Sequence, residues 1–279
     1  MFNRIYLEIT NYCNLSCSFC PPHRRNSMHV GLDELKHRIK EASKHTKNLY
    51  FHVKGEPLLS PHFLPALDLA HESNVRVHIV TNGILLDRYS EVVLQHPATE
   101  TLSISLHSAS QMEESLRDRH FETIRHHLRN IRPHHPHTRL RIWDGSSEDH
   151  VRSQAYLNRL LDADIILPQQ ANVRLSIQPN LHIQSDLRFD WPNLKDGQQY
   201  PTGRCKAGMM MLAILADGTV TPCCLDGEGH IDLGNIHDMD LDAILTSQRY
   251  VDFMDGMRKR KPSEALCRAC TYKNRFEKK

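Results

Sequence analysis

An α/β fold with a parallel sheet is the fold class this sequence predicts, and three observations lead there. Short β-rich runs alternate with stretches of helical periodicity from residue 4 onward. The alternation recurs six times, and repeated βα units call for parallel strands with helices packed outside the sheet. Beyond residue 192 the alternation stops, and cysteine- and turn-rich sequence predicts a small appended unit made of a β-hairpin and a helix.

The elements follow in order. Arg4–Ile9 reads as the first strand and leads directly into a cysteine-rich loop. Leu35, Ile39 and Ala42 fall at i, i+4 and i+7 of a helix over residues 32–45, and Leu49–Val53 is the second strand. Ser60 and Pro61 read as N-cap and first residue of a helix whose inner face carries Phe63, Leu67 and Ala70. Val75–Val80 is a third strand, followed by a helix over Ile84–Leu94 opened by Gly83. Thr101–Leu106 is the fourth strand, and after a polar loop Phe121–Ile131 is the fourth helix. Arg139–Trp143, Ser147–Leu161 and Val173–Gln178 supply the fifth strand, fifth helix and sixth strand. Six units are too few for a complete eight-stranded barrel, and periodicity alone fits an open doubly wound sheet or a partial barrel.

Composition narrows the function classes. A chain of 279 residues suits one large domain, or one domain with an appendage. Thirty-five Lys and Arg against 33 Asp and Glu leave a net charge of +2, so no polyanion-binding field and no specific nucleic-acid partner are expected. No apolar run approaches the roughly 18–20 residues that span a bilayer, and no signal-peptide pattern is read ahead of the first strand. A cytoplasmic, reducing location is the expectation, which makes the eight cysteines ligands or free thiols rather than disulfides. The histidines gathered in Arg132–His137, with two prolines among them, read as a solvated linker.

Cys13, Cys17 and Cys20 stand at the spacing C-x3-C-x2-C. Thiolates this dense call for a metal. Three is an odd number for a disulfide set and one short of the four that close an ordinary [4Fe–4S] cluster. An iron with an open position invites a substrate or cofactor, as catalytic metal sites do. The same spacing describes a buried helix face, but the turn formers Asn11, Asn14 and Ser16, and the closing Pro21 and Pro22, favour a loop. With Phe19 just before the third cysteine, the segment resembles the signature of the radical S-adenosylmethionine (SAM) enzymes. The resemblance implies a partial (β/α)6 TIM-like barrel and a cluster on Cys13, Cys17 and Cys20 as the catalytic set. It further implies that SAM binds the open iron, that reductive cleavage gives a 5′-deoxyadenosyl radical, and that this radical takes a substrate hydrogen. It also makes Phe19 a SAM-binding candidate.

In such a barrel the chemistry lies at the C-terminal strand ends. Strand two ends in Lys54-Gly55-Glu56-Pro57, where Gly55 admits a close backbone approach and Glu56 offers an acceptor to an ammonium group. The segment resembles the family's Gly-Gly-Glu-Pro, which implies that Gly55 and Glu56 hold the SAM amino group; Lys54 stands at the first glycine. By itself it reads as a turn. Strand three ends in Thr81-Asn82-Gly83, whose side chains would reach the SAM methionine or ribose in a barrel and otherwise make an Asn-Gly turn. Ser103, Ser105 and His107 share one face of strand four, the interior face of a barrel, where polar groups need a partner. Ser105 resembles the ribose-contacting position, and His107 is a substrate contact or a structural histidine. On strand five Arg141 and Trp143 face opposite to Leu140 and Ile142. Arg141 is a carboxylate anchor, for SAM or substrate, or part of a salt-bridge network, and Trp143 joins His107 as a substrate candidate.

The remaining cysteines are Cys205, Cys223, Cys224, Cys267 and Cys270. Residues 216–219 form a hairpin turn with Gly218 at positive φ, and Cys267 and Cys270 follow a helix over Leu241–Gly256. Four thiolates in two pairs fit zinc or an iron–sulfur cluster. The Gly218-to-Cys223 spacing, Leu233-Gly-Asn-Ile236 and the final C-x2-C resemble the SPASM extension of radical SAM enzymes in its short Twitch form. That resemblance implies one auxiliary [4Fe–4S] cluster on Cys205, Cys223, Cys267 and Cys270, with Cys224 spare. The expected division is 1–192 for the barrel and 193–279 for the auxiliary-cluster domain. The resemblance implies net oxidation, a dehydrogenation or cross-link, of a small molecule or peptide. It also implies a flavodoxin- or ferredoxin-like electron donor, which Arg258–Lys261 and the tail Lys273–Lys279 would dock unless they are merely solvated. A non-catalytic iron–sulfur or zinc protein, serving electron transfer or binding, is the alternative. It would not need an open triad, Gly-Glu-Pro and polar barrel-facing positions together.

Overall fold

Seven strands run parallel in one sheet of the computed structural model, which describes residues 1–144, 147–168, 170, 172–195 and 199–276. In chain order the first half comprises β1 (Arg4–Leu7), α1 (Leu32–His45), β2 (Asn48–Phe51), α2 (Phe63–Glu72), β3 (Arg76–Thr81) and α3 (Leu86–Gln95). There follow β4 (Thr99–Ser105), α4 (Glu114–Arg129), β5 (His137–Asp144), α5 (Ser147–Leu161), β6 (Val173–Gln178) and β7 (Leu181–Leu187). The remainder is β8 (Met211–Ile214), β9 (Val220–Thr221), α6 (Leu241–Thr246), α7 (Gln248–Arg258) and α8 (Ala265–Ala269). The sheet order is β6-β7-β5-β4-β3-β2-β1-β8-β9, with β6 and β9 antiparallel to their neighbours.

The strands explain why the sheet bends as it does. Ile5 and Leu7, Leu49 and Phe51, Val77 and Ile79, Leu102 and Ile104, and Leu140 and Ile142 form buried rows against the helices. The alternate positions are polar or aromatic: Arg4 and Tyr6, Tyr50 and His52, Ser103 and Ser105, Arg139 and Arg141 line a cavity. A doubly wound sheet buries both faces and puts helices on both sides. Here α1 packs on α2, α3 on α4 and α4 on α5, so consecutive helices share one side and the other side is left as an interior. The partial-barrel expectation stands, and the doubly wound alternative does not.

Several boundaries differ from the sequence reading. Val173–Gln178 is a strand but not the sixth parallel one; it turns back as an antiparallel edge on β7, and Leu181–Leu187 takes the parallel position beside β5. The Ser60-Pro61 pair does not open α2: Ser60 accepts from His62 N at its side chain and from Phe63 N at its carbonyl, forming a turn ahead of the helix. α3 starts at Leu86 because Asn82 Oδ1 accepts from Ile84 N, consuming the residues assigned to its first turn. α4 starts at Glu114, so the expected polar loop is largely its exposed N-terminal half. The single helix expected over Leu241–Gly256 is two, divided at Ser247, whose Oγ accepts from Tyr250 N at 3.2 Å to cap α7.

The C-terminal hairpin is part of the same sheet. β8 pairs parallel with β1, Ile5 opposite Leu212 and Leu7 opposite Ile214. Its turn needs Gly218, at φ +87°, since a Cβ there would lie 2.4 Å from the His237 ring. Arg38 of α1, fully buried, donates to the carbonyls of Leu215 and Ala216 at 3.1 and 3.0 Å and fixes that turn to the barrel.

Candidate active site

The inner sheet face and the C-terminal segment enclose a cavity of about 510 Å³ onto which both cysteine groups open. None of the eight cysteines is paired in a disulfide.

The triad lies in the loop after β1, which is held open without helix. Asn11 closes its base: Nδ2 donates to Asn26 O at 2.9 Å and Oδ1 accepts from Met28 N at 2.6 Å. Gly55 packs against this base. At φ +75°, a Cβ on it would lie 2.5 Å from Thr10 O and 2.8 Å from Tyr12 O. The close approach expected of Gly55 is therefore to the chain's own backbone, and Glu56 N donates to Tyr12 O at 2.7 Å beside it.

Glu56 is 2% exposed. Its Oε1 accepts from Thr81 Oγ1 at 2.7 Å and Leu58 N at 3.1 Å, and its Oε2 from Asn82 N at 2.7 Å. Burial pushes the carboxyl up to about 7, with these three donors pulling the other way. The side chain thus ties the ends of β2 and β3 together rather than standing free as an acceptor. Thr81 Oγ1 also accepts from Gly83 N at 3.0 Å. Asn82 Nδ2 donates to Asn14 Oδ1 at 2.7 Å and lies 4.0 Å from Cys13 Sγ, so it links β3 to the triad loop.

Ser103 is buried, Ser105 half-buried, and both face the cavity. Next to them the His107 ring stacks on Trp143 with centroids 4.9 Å apart and meets Phe19 edge-on at 5.2 Å. Burial, with Arg141 nearby, lowers His107 to about 3, so it is a neutral wall residue whose Nδ1 lies 3.2 Å from Arg141 O. The aromatic wall continues from Trp143 to Phe189 at 5.1 Å and from Phe189 to Tyr272 at 4.9 Å. Trp191 Nε1 donates to Phe19 O at 2.9 Å, anchoring the residue before Cys20.

Lys54, where the family pattern has glycine, braces the triad loop. Its backbone N donates to Glu8 Oε1 at 3.0 Å, its Nζ to Pro22 O at 2.8 Å, and the Nζ also pairs with Glu228 of the C-terminal segment. Glu8 is fully buried and is held by Arg25 Nη2 at 2.6 and 2.8 Å and by Ala216 N at 2.8 Å.

The donor chemistry fits clusters at both groups. Burial, and then Cys20 and Cys13, push Cys17 up to about 12. Cys223 is raised by burial and by Cys224, Cys267 and Cys205, and Cys267 by burial, Cys205 and Cys270, so these thiols face one another. Thiols that oppose each other's ionisation become thiolates when a bound cationic group supplies the missing charge. Among the described residues, no three His, Cys, Asp or Glu side chains close on a single metal-ion point. Cys224 turns toward Tyr6 and Arg4.

Arg4, Tyr6, Tyr50, His52 and Arg139, all on the cavity wall, lie outside the strand-end candidates. Their signal was available: each alternates with a core residue along its strand.

A partial barrel that presents a three-thiol loop at its strand ends, with a second thiol group across the cavity, defines a radical SAM enzyme with an auxiliary-cluster domain. The chain belongs to the Radical SAM superfamily, whose family profile matches residues 7–180, and residues 205–271 match the SPASM iron–sulfur cluster-binding domain. SAM and two [4Fe–4S] clusters are accordingly its cofactors. An AdoMet-dependent heme synthase of Methanosarcina barkeri is 31% identical over 106 residues, 37% of this chain and 30% of that protein's length. Among solved structures, BtrN in complex with AdoMet and 2-DOIA superposes with a TM-score of 0.56 at 15% identity, covering 97% of this chain and 93% of BtrN. Streptococcus suis SuiB bound to precursor peptide SuiA gives 0.61 at 14% identity, over 100% of this chain and 74% of SuiB. The anSMEcpe enzyme with AdoMet and Cp18Cys peptide gives 0.56 at 15%, over 90% and 81%. These likenesses concern the fold.

Proposed function

We propose that this chain cleaves SAM reductively and oxidises a small molecule or peptide held in the cavity. Cys13, Cys17 and Cys20 would hold a [4Fe–4S] cluster able to supply the electron for reductive cleavage of SAM, and the 5′-deoxyadenosyl radical so released would take a hydrogen from the substrate. One observation supports the oxidative outcome above the rest: both thiol groups open onto one cavity, so a substrate there lies between them. Loss of a hydrogen atom leaves one electron to be removed for a two-electron oxidation, and Cys205, Cys223, Cys267 and Cys270 hold the group that would accept it.

The chain's own residues supply geometry. Glu56, Thr81 and Asn82 fix the strand ends against the triad loop, leaving the Gly55 carbonyl and the Ser105 side chain on the cavity wall for SAM. Phe19, His107 and Trp143 wall the cavity and keep water from a carbon radical. Arg258–Lys261, exposed at the end of α7, is our proposed dock for an acidic electron donor; residues 277–279 of the basic tail lie outside the described residues. No helix among the described residues is long and apolar enough to cross a membrane. The molecules bound in those structures, 2-DOIA in BtrN and peptides in SuiB and anSMEcpe, frame the proposed substrate range.

Anaerobic reconstitution tests this reading. About eight irons per chain are expected, together with 5′-deoxyadenosine from SAM and dithionite. Cys17→Ala abolishes cleavage. Cys223→Ala retains uncoupled cleavage and loses oxidised product; intact turnover in that variant would refute the electron-accepting role. Zinc in the C-terminal site without any SAM cleavage would favour the non-catalytic alternative.

A further inference from the structure

Three arginines project from the inner face of the sheet into the cavity: Arg4 from β1, and Arg139 and Arg141 from β5. None has a carboxylate partner among the described residues. Arg4 lies over the Tyr50 ring at 5.1 Å, and Arg141 lies 5.9 Å from the Trp143 ring. The carboxylates that share the cavity are committed elsewhere. Glu56 is bound by Thr81, Leu58 and Asn82; Asp186 pairs with Arg275 at 2.7 Å; Asp226 accepts from His230 N and Ile231 N at 2.9 and 2.7 Å. Three guanidinium groups on a half-buried wall without a counter-ion are costly unless an anion meets them.

The neighbouring groups favour an anion too. His52 Nδ1 is buried with no hydrogen-bond partner among the described residues, on the same wall. Burial, with Arg141 and Arg4, lowers His52 to about 3, and burial, with Arg139, lowers His78 to about 3. Both imidazoles are neutral at physiological pH; His78 spends its ring nitrogens on Thr101 Oγ1 and Asn48 Oδ1, whereas His52 keeps one able to donate.

We propose that Arg4, Arg139 and Arg141 anchor an anionic substrate, whose carboxylate or phosphate oxygens bind the guanidinium groups and His52. The proposal rests on the reading that this cavity holds the substrate, and it narrows that substrate to an oxyanion-bearing molecule. SAM also carries a carboxylate, and Arg141, opposite Ser105 in the β4–β5 register, borders the SAM side, whereas Arg139, opposite Ser103, and Arg4 lie deeper along their strands. The charged groups that bear on the triad thiols are Glu56 and Lys54, whereas Arg4 and Arg141 bear on Tyr6 and Cys224, and Arg141 on Tyr272 near Cys270. An oxyanion seated there would place the remainder of the molecule between the triad and the auxiliary thiols. Bidentate geometry makes arginine, rather than lysine, the residue for this task.

Calorimetric titration of the reconstituted holoenzyme, saturated with SAM in chloride buffer, tests this with citrate, inorganic phosphate and the diamine putrescine as probes. Citrate or phosphate is expected to bind saturably and putrescine not at all; whichever anion binds more tightly identifies carboxylate or phosphate as the recognised group. Arg139→Gln and Arg141→Gln each weaken that anion roughly tenfold or more, Arg141→Lys recovers part of the loss, and the exposed Lys259→Gln changes nothing. Far-UV circular dichroism and iron content matching those of the unmodified chain show that the arginine variants are folded and loaded. The proposal is overturned if neither anion binds, if putrescine binds as well as they do, or if the variants leave anion affinity unchanged. It is equally overturned if Arg141→Gln raises the KM for SAM and SAM competes with the anions, since the arginines would then hold SAM. Absence of 5′-deoxyadenosine from the unmodified chain would instead refute SAM cleavage itself, whatever the anions do.

Discussion

Glu56 shows how one buried group couples the site to pH. Its carboxyl rises from an ordinary value near 4.5 to about 7 in the fold, so the folded chain holds a proton that the unfolded chain releases. Stability from this group is complete below about pH 4.5 and is lost as pH rises to about 7, by about 3 kcal/mol at most. Thermal unfolding of the apo-protein followed from pH 5 to 8 should show this decline, and Glu56→Gln should flatten it. Gly55 is the second residue whose role is steric. Gly55→Ala drives a Cβ into Thr10 O at positive φ, and should cost about 1–3 kcal/mol and distort the triad loop. Iron analysis should then fall from about eight to about four per chain, with the auxiliary set still loaded. The importance of both positions was legible in the sequence from their motif, but not what they touch. A local pattern reports residue types at fixed spacing; that Glu56 meets Asn82, or that Gly55 meets Thr10, depends on strands paired across the sheet.

At the scale of elements, what was legible follows burial. The first five strands and their helices carry apolar rows at period two or near four, and sequence finds those. β7 escaped notice because its inner positions are His182, Gln184 and Asp186, and the preceding β6, richer in β-branched residues, took its place in the count. The start of α4 was hidden for a related reason: residues 113–119 are largely exposed, so no apolar stripe marks them. Ser247 was missed as a divider of helices, since a serine within an apolar-periodic stretch is not by itself a stop. Its capping bond gives a clean expectation: Ser247→Ala should lower stability by about 1 kcal/mol in denaturant unfolding, without altering iron content.

For the whole molecule, the pairing of β8 with β1 means that the barrel and the C-terminal segment share a sheet. Glu8 reinforces the join, bound at once by Arg25, by Lys54 N from the second strand's end and by Ala216 N from the hairpin. Glu8→Gln removes the buried counter-charge of Arg25 and leaves it the half-exposed Asp217 at 3.5 Å, and should cost about 3 kcal/mol. Loss of one join shared by both halves should lower loading of both thiol groups together, as measured by iron content of Glu8→Gln against Gly55→Ala. Independent halves would instead lose only one.

The chain has two tryptophans, and both Trp143 and Trp191 sit in the aromatic wall between the two thiol groups. Indole emission is therefore an intrinsic gauge of what the cavity contains. Stepwise filling of the two thiol groups should dim that emission, so assembly of the holoenzyme can be followed in real time without a label.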